Sequence, residues 1–154
     1  MVQGQENIAF RNPTISAFRC MIKVMYLIPY VIESTKNLQE ITELGGFYCC
    51  LPAVSISLYS SFYCSPSFIA NLYNDREILL GVANKLRHKE LFSDCLSLIS
   101  GRWDPNDQSF TTGIGDKKLA VLAVDMHNRL GGKLAYAHQT ILKGLPTGYT
   151  AAAW

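Results

Sequence analysis

Residues 45–74, GGFYCCLPAVSISLYSSFYCSPSFIANLYN, run for thirty positions without a charged side chain. A stretch of that length must either cross lipid or be buried by the rest of its own chain. A spanning helix needs about 20 predominantly apolar residues. Here Pro52, Pro66 and the serines Ser55, Ser57, Ser60, Ser61, Ser65 and Ser67 interrupt the run. A second apolar stretch, residues 24–32, is too short to span and contains Pro29. The expectation is therefore a series of short helices, with Pro52 opening one and Cys64-Ser65-Pro66 breaking it. No turn dipeptide divides the run into hairpin arms, so helix is preferred over strand. A membrane-associated chain that uses 45–74 is the alternative reading.

Both flanks are patterned for helices. Asn12-Pro13 is a helix start, and Ile15, Phe18, Met21, Ile22 and Met25 then recur at three- and four-residue intervals on one face. Pro29 stops this helix by Ile28, because the residue before proline avoids the helical region. Ser34 or Asn37 caps the next helix, whose apolar positions are Leu38, Ile41 and Leu44, and Gly45-Gly46 loosens its end. Asn74 or Asp75 caps a helix with Ile78, Leu79, Val82, Ala83 and Leu86 inward. After His88 another helix carries Leu91, Phe92, Cys95, Leu96 and Ile99 up to Gly101. Two or three linking residues make this pair an antiparallel hairpin. Residues 104–115 are a turn-rich loop.

Residues 116–144 then make one long helix of about 43 Å. Its stripe is Leu119, Leu122, Met126, Leu130, Leu134, Ala137 and Ile141. The mean step of 22 residues over six intervals differs from the 3.5 repeat of a left-handed coiled coil. The expectation is ordinary packing against the bundle along its length. The fold class is accordingly mainly α, a helical array of about six or seven helices. At most a strand remnant stands near the N-terminus, at Ile8-Ala9-Phe10.

Function classes are narrowed more by what is missing. With 14 Lys/Arg against 12 Asp/Glu, the net charge of +2 gives no attraction to nucleic acid or anionic lipid. The mild basic excess lies on 116–144, five Lys/Arg against two acids. Five cysteines, Cys20, Cys49, Cys50, Cys64 and Cys95, show no zinc-ligand spacing, so most are expected to be reduced core hydrophobes in a cytoplasmic or nuclear protein. Gly113-Ile114-Gly115 precedes a helix as a phosphate loop does, but no G-K-[ST] follows. His127 and His138 stand three helical turns apart and cannot share a metal within one chain. The clustered aromatics Phe47, Tyr48, Tyr59, Phe62, Tyr63, Phe68 and Tyr73 are expected in the core. No residue takes a catalytic, cofactor-binding or metal-ligating role, so the chain is not read as an enzyme and no cofactor is expected.

One likeness adds to this. Tyr48-Cys49-Cys50-Leu51-Pro52, the step Ser65-Pro66-Ser67-Phe68-Ile69, the run Leu79-Leu80 to Ala83-Asn84-Lys85-Leu86-Arg87, and Leu91-Phe92-Ser93-Asp94-Cys95-Leu96 follow one another in order. In that order they resemble the later half of BTB/POZ-domain proteins from filamentous fungi. NIAFRNPTISAFRCMIKVMY is similar to the point where a short strand of that fold leads into a helix. Gly45-Gly46 stand where the family has Ala-Asp, and Tyr26-Leu27-Ile28-Pro29 replaces its usual Tyr-x-Gly turn.

The resemblance implies a truncated BTB-like segment over 1–48, a BACK-like region of short helices over 49–103, the loop 104–115, the helix 116–144 and a tail 145–154. It implies a non-catalytic protein–protein interaction module, with a protein partner or a homo-oligomer. The opening half of the domain, which carries most of its strands, is absent from these residues. Ile15, Phe18 and Met21 would then lack the sheet they cover in a full domain, leaving an apolar patch.

Overall fold

The computed structural model describes residues 13–101 and 113–144. The expected strand remnant, the Asn12 cap, the tail and most of the 104–115 loop lie outside them. The seven helices among the described residues are α1 (Pro13–Met25), α2 (Thr35–Phe47), α3 (Leu51–Tyr63), α4 (Pro66–Asn71), α5 (Arg76–Leu86), α6 (Lys89–Ser100) and α7 (Lys117–Gly144). No strand occurs among the described residues, and the architecture is mainly α. The prolines act where expected: Pro52 and Pro66 each stand in the first turn of a helix, where a missing N–H costs nothing.

One core joins the helices. Leu38 and Ile41 of α2, Val54 and Leu58 of α3, Leu79, Leu80 and Ala83 of α5, and Leu91, Cys95 and Ile99 of α6 are all buried in it. The α5–α6 hairpin and the α1–α2 pair are its most extensive contacts.

Helix α3 presents an unexpected side to this core. Its buried residues are Val54, Ser57, Leu58 and Ser61, while Tyr59 and Tyr63 are exposed. Serine can be buried here because each hydroxyl bonds a carbonyl one turn back: Ser57 to Val54 at 2.8 Å, Ser61 to Ser57 at 2.9 Å, and Ser65 to Ser61 at 2.7 Å. Two of them also hold the extended segment between α1 and α2. Tyr30 Oη lies 3.3 Å from Ser57 Oγ, and the Ile32 amide donates to Ser65 Oγ at 2.7 Å. The aromatics expected in the core are therefore mostly on the surface. Phe47, Tyr48, Tyr59, Tyr63 and Tyr73 are exposed, and only Phe68 is fully buried, stacked on half-buried Phe62. The physical reason is close approach, because serine lets α3 sit nearer its neighbours than tyrosine would.

Three helix ends turn without glycine. Leu27, Cys49 and Arg87 have φ of 54°, 55° and 53°. After each, a 6→1 bond closes the turn: Ile28 N to Lys23 O, Cys50 N to Gly45 O, and His88 N to Ala83 O. Helix α1 thus ends at Met25, three residues before the limit that Pro29 sets.

Gly45-Gly46 do not loosen α2, which runs on to Phe47. A Cβ on Gly45 would stand 2.9 Å from Val54 Cγ2, whereas on Gly46 the nearest atom is Lys85 Cε at 3.7 Å. Gly46→Ala should raise stability by up to about 1 kcal/mol through helix propensity. At Gly45→Ala the stiff β-branched Val54 cannot swing aside. Overpacking of about 1–3 kcal/mol then outweighs the same propensity gain. Urea midpoints should move in opposite directions for the two variants.

Helix α7 corrects the expectation that it packs along its whole length. Leu119 and Ala123 are buried, and α6 is its main neighbour. His127 Nδ1 lies 2.8 Å from the carbonyl of Ser100, the last residue of α6. Beyond that point Leu130, Leu134, Ile141 and Leu142 are exposed. The helix is simply longer than the element it lies on.

Candidate interaction surfaces

Helix α1 carries two apolar faces that adjoin at Met21 and Met25, while Ser16, Arg19 and Lys23 take the remaining arc. The buried face is Ala17, Cys20, Met21 and Val24. The other, with Ile15, Phe18, Ile22 and Met25 at 53%, 45%, 43% and 57% exposure, points away from the core. The five residues expected on one face are thus divided, and only Met21 is buried. Both stripes have helical spacing, so periodicity could not choose between them. Ala17 and Cys20 are smaller than Ile15 and Phe18, and this lets α2 approach closely.

Aromatic rings extend the outward face. The Phe18 and Tyr48 centroids are 6.4 Å apart, and Phe47 meets Tyr48 edge-on at 5.1 Å. Tyr26, Leu27 and Ile28, in the turn after α1, are also exposed. The Schellman turn at Cys49 places Tyr48 beside α1. That turn had no signature in the sequence, since no glycine marks it.

The titratable groups form no comparable chemical centre. Tyr59 Oη donates to Glu90 Oε2 at 2.5 Å, which raises the phenol and lowers the carboxyl from their ordinary values. His88, whose Nδ1 lies 3.7 Å from the same oxygen, is buried at the start of α6. Its Nδ1 accepts from the Leu91 amide at 3.2 Å, which caps the helix and places the proton on Nε2. That N–H has no hydrogen-bond partner among the described residues, and the imidazole packs edge-on to the Phe62 ring at 5.9 Å. Burial holds the imidazole below its ordinary pKa against the opposing pull of Glu90. His88 is thus a neutral cap, a role the sequence reading missed. Cys95 is pushed up to about 12 by burial, which makes it an inert core thiol. Of the five cysteines, all free, Cys20 and Cys95 are buried, so the expectation that most are core residues holds for these two alone.

The glycine pair before α7 lines an open depression of about 360 Å³ with Glu43, Lys85 and Thr42. Two carboxylates oppose an anion there. Glu77 packs against the Cα side of Gly113, and Asp116 Oδ1 accepts from the Lys118 amide at 2.8 Å, occupying the helix start. No group of three or more His, Cys, Asp or Glu that could hold a metal occurs among the described residues. Nor is any helix among them long and apolar enough to cross a membrane.

No family model, curated protein or solved structure matches the chain.

Proposed function

We propose that this chain is a non-catalytic protein–protein interaction module, built as the later half of a BTB-type domain with a helical extension. The outward face of α1 carries this reading. Ile15, Phe18, Ile22 and Met25 join Phe47 and Tyr48 in one contiguous apolar surface. The apolar arc of α1 is wider than the one face that covers the core, and patches of this kind mark docking sites. The kinship itself rests on the ordered likeness from Tyr48 to Leu96.

A photo-crosslinking amino acid at Ile22 tests the reading in cells. Cross-linking to a defined protein is expected, and Phe18→Asp should reduce it at least tenfold while far-ultraviolet circular dichroism stays unchanged. Phe18 is half-exposed and meets the Tyr48 ring, so the change should cost about 1–2 kcal/mol of folding stability, and the unchanged dichroism separates a lost contact from a lost fold. A folded, strictly monomeric chain that yields no cross-link would overturn the proposal. Recovery only in a detergent-extracted membrane fraction would favour the membrane alternative instead.

A further inference from the structure

The stripe of α7 begins as an occupied seam and continues as one that no described residue covers. Leu119 and Ala123 are buried, and α6 ends at Ser100 beside His127. On the same helical face follow Met126, Leu130, Leu134, Ala137 and Ile141. Taken with Ala123 in place of Leu122, the steps are four, three, four, four, three and four residues. That is an 11-residue repeat, in which Leu119, Leu130 and Ile141 hold equivalent positions. The free part, 16 residues from Met126 to Ile141, is about 22 Å long. At 100° per residue these side chains fall within a narrow sector, the shape of a helix–helix seam rather than the broad apolar half that a lipid-facing helix presents.

Charge then selects the occupant. Arg129 and Lys133 edge the stripe on one side and His138 edges it on the other. The one acid of α7, Asp125, stands one turn before Arg129 on the same side, further from the stripe, and meets it at 3.5 Å in an exposed ion pair; Lys133 has no acid within a turn of it on α7. A second copy would bring Lys133 against another Lys133, Arg129 or His138, and the one carboxylate of the helix, Asp125, is already engaged by Arg129. We propose that the distal half of α7 is a docking seam for an amphipathic helix of another protein, one that carries carboxylates beside its apolar stripe and continues the line of α6 beyond Ser100. The proposal shares the interaction-module reading but uses a different surface from α1.

The full chain tests it with two synthetic 22-residue helical peptides. Both carry leucine and alanine on an 11-residue repeat; one has glutamate at the flanking positions and the other has lysine. By fluorescence anisotropy the glutamate peptide should bind at least tenfold more tightly, with the margin shrinking at high salt. Leu130→Asn with Leu134→Asn should abolish binding, provided the helical signal at 222 nm is retained. Arg129→Ser with Lys133→Ser should leave binding but lose the preference. Phe18→Asp should leave both untouched, which separates failure here from failure at α1. Three results would overturn the proposal. One is equal binding of the two peptides, or none. The second is a dimer in light scattering that the double asparagine variant dissolves, and the third is stripe-dependent binding to phosphatidylserine vesicles.

Discussion

Replacing Tyr30 with alanine should remove about 3–5 kcal/mol of stability, by analogy with other large aromatic deletions. Tyr30 is among the largest side chains in the core, is 1% exposed and sits in the extended segment between α1 and α2. Pro29 and the left-handed Leu27 direct that segment inward, so Tyr30 and Ile32 are buried while Val31 faces solvent. Domains of this size have about 5–15 kcal/mol in total, so the loss is a large share of it. Tyr30→Phe should cost only about 1 kcal/mol, because it removes the 3.3 Å bond to Ser57 and leaves the ring. Urea unfolding followed at 222 nm measures both. Equal losses would mean that the ring contributes nothing beyond its hydroxyl.

The second large effect is expected from a much smaller change, Ser65→Ala. The Ser65 hydroxyl donates to Ser61 O and accepts from the Ile32 amide, both at 2.7 Å. Ser65 and Ile32 are both fully buried, so water cannot replace the lost acceptor. An unsatisfied buried N–H costs about 1–3 kcal/mol. Ser60→Ala, one turn away on the exposed side, should change stability by no more than about 0.5 kcal/mol. Amide exchange of Ile32 provides an independent reading: it should quicken in Ser65→Ala beyond what the global loss of stability explains. If Ser65→Ala and Ser60→Ala prove equivalent, the serine ladder is not what anchors this segment.

Both predictions concern residues whose importance the linear pattern disguised. Serines at 57, 61 and 65 look like interruptions of an apolar run, and that is how they argue against a membrane span. In the fold they are the inward face of α3, and the aromatic residues that seem made for the core are outside. Helical spacing marks a face but not the direction it points. On α1 two apolar stripes stand side by side, and the smaller one is buried. On α7 the stripe is real from Leu119 to Ile141, yet burial stops where α6 stops. The docking surfaces follow from these inversions: each is an apolar set that periodicity found and packing left open.

Some features needed no tertiary information. Proline positions set the starts of α3 and α4, and the Ser34 hydroxyl accepts from the Asn37 amide at 3.2 Å as a helix cap should. These are local effects, in which one residue acts on its own turn of backbone. Asp75 shows the limit. It precedes α5 as a capping residue would, but its carboxylate accepts from Thr35 Oγ1 at 2.6 Å instead of capping its own helix. The uncharged stretch 45–74 behaves in the same two-part way. Sequence alone determined that it breaks into short helices, because proline removes a donor wherever it stands. Only the tertiary structure decided which of its side chains are buried, because burial depends on how near a neighbouring helix can come, and here serine lets it come nearer than tyrosine.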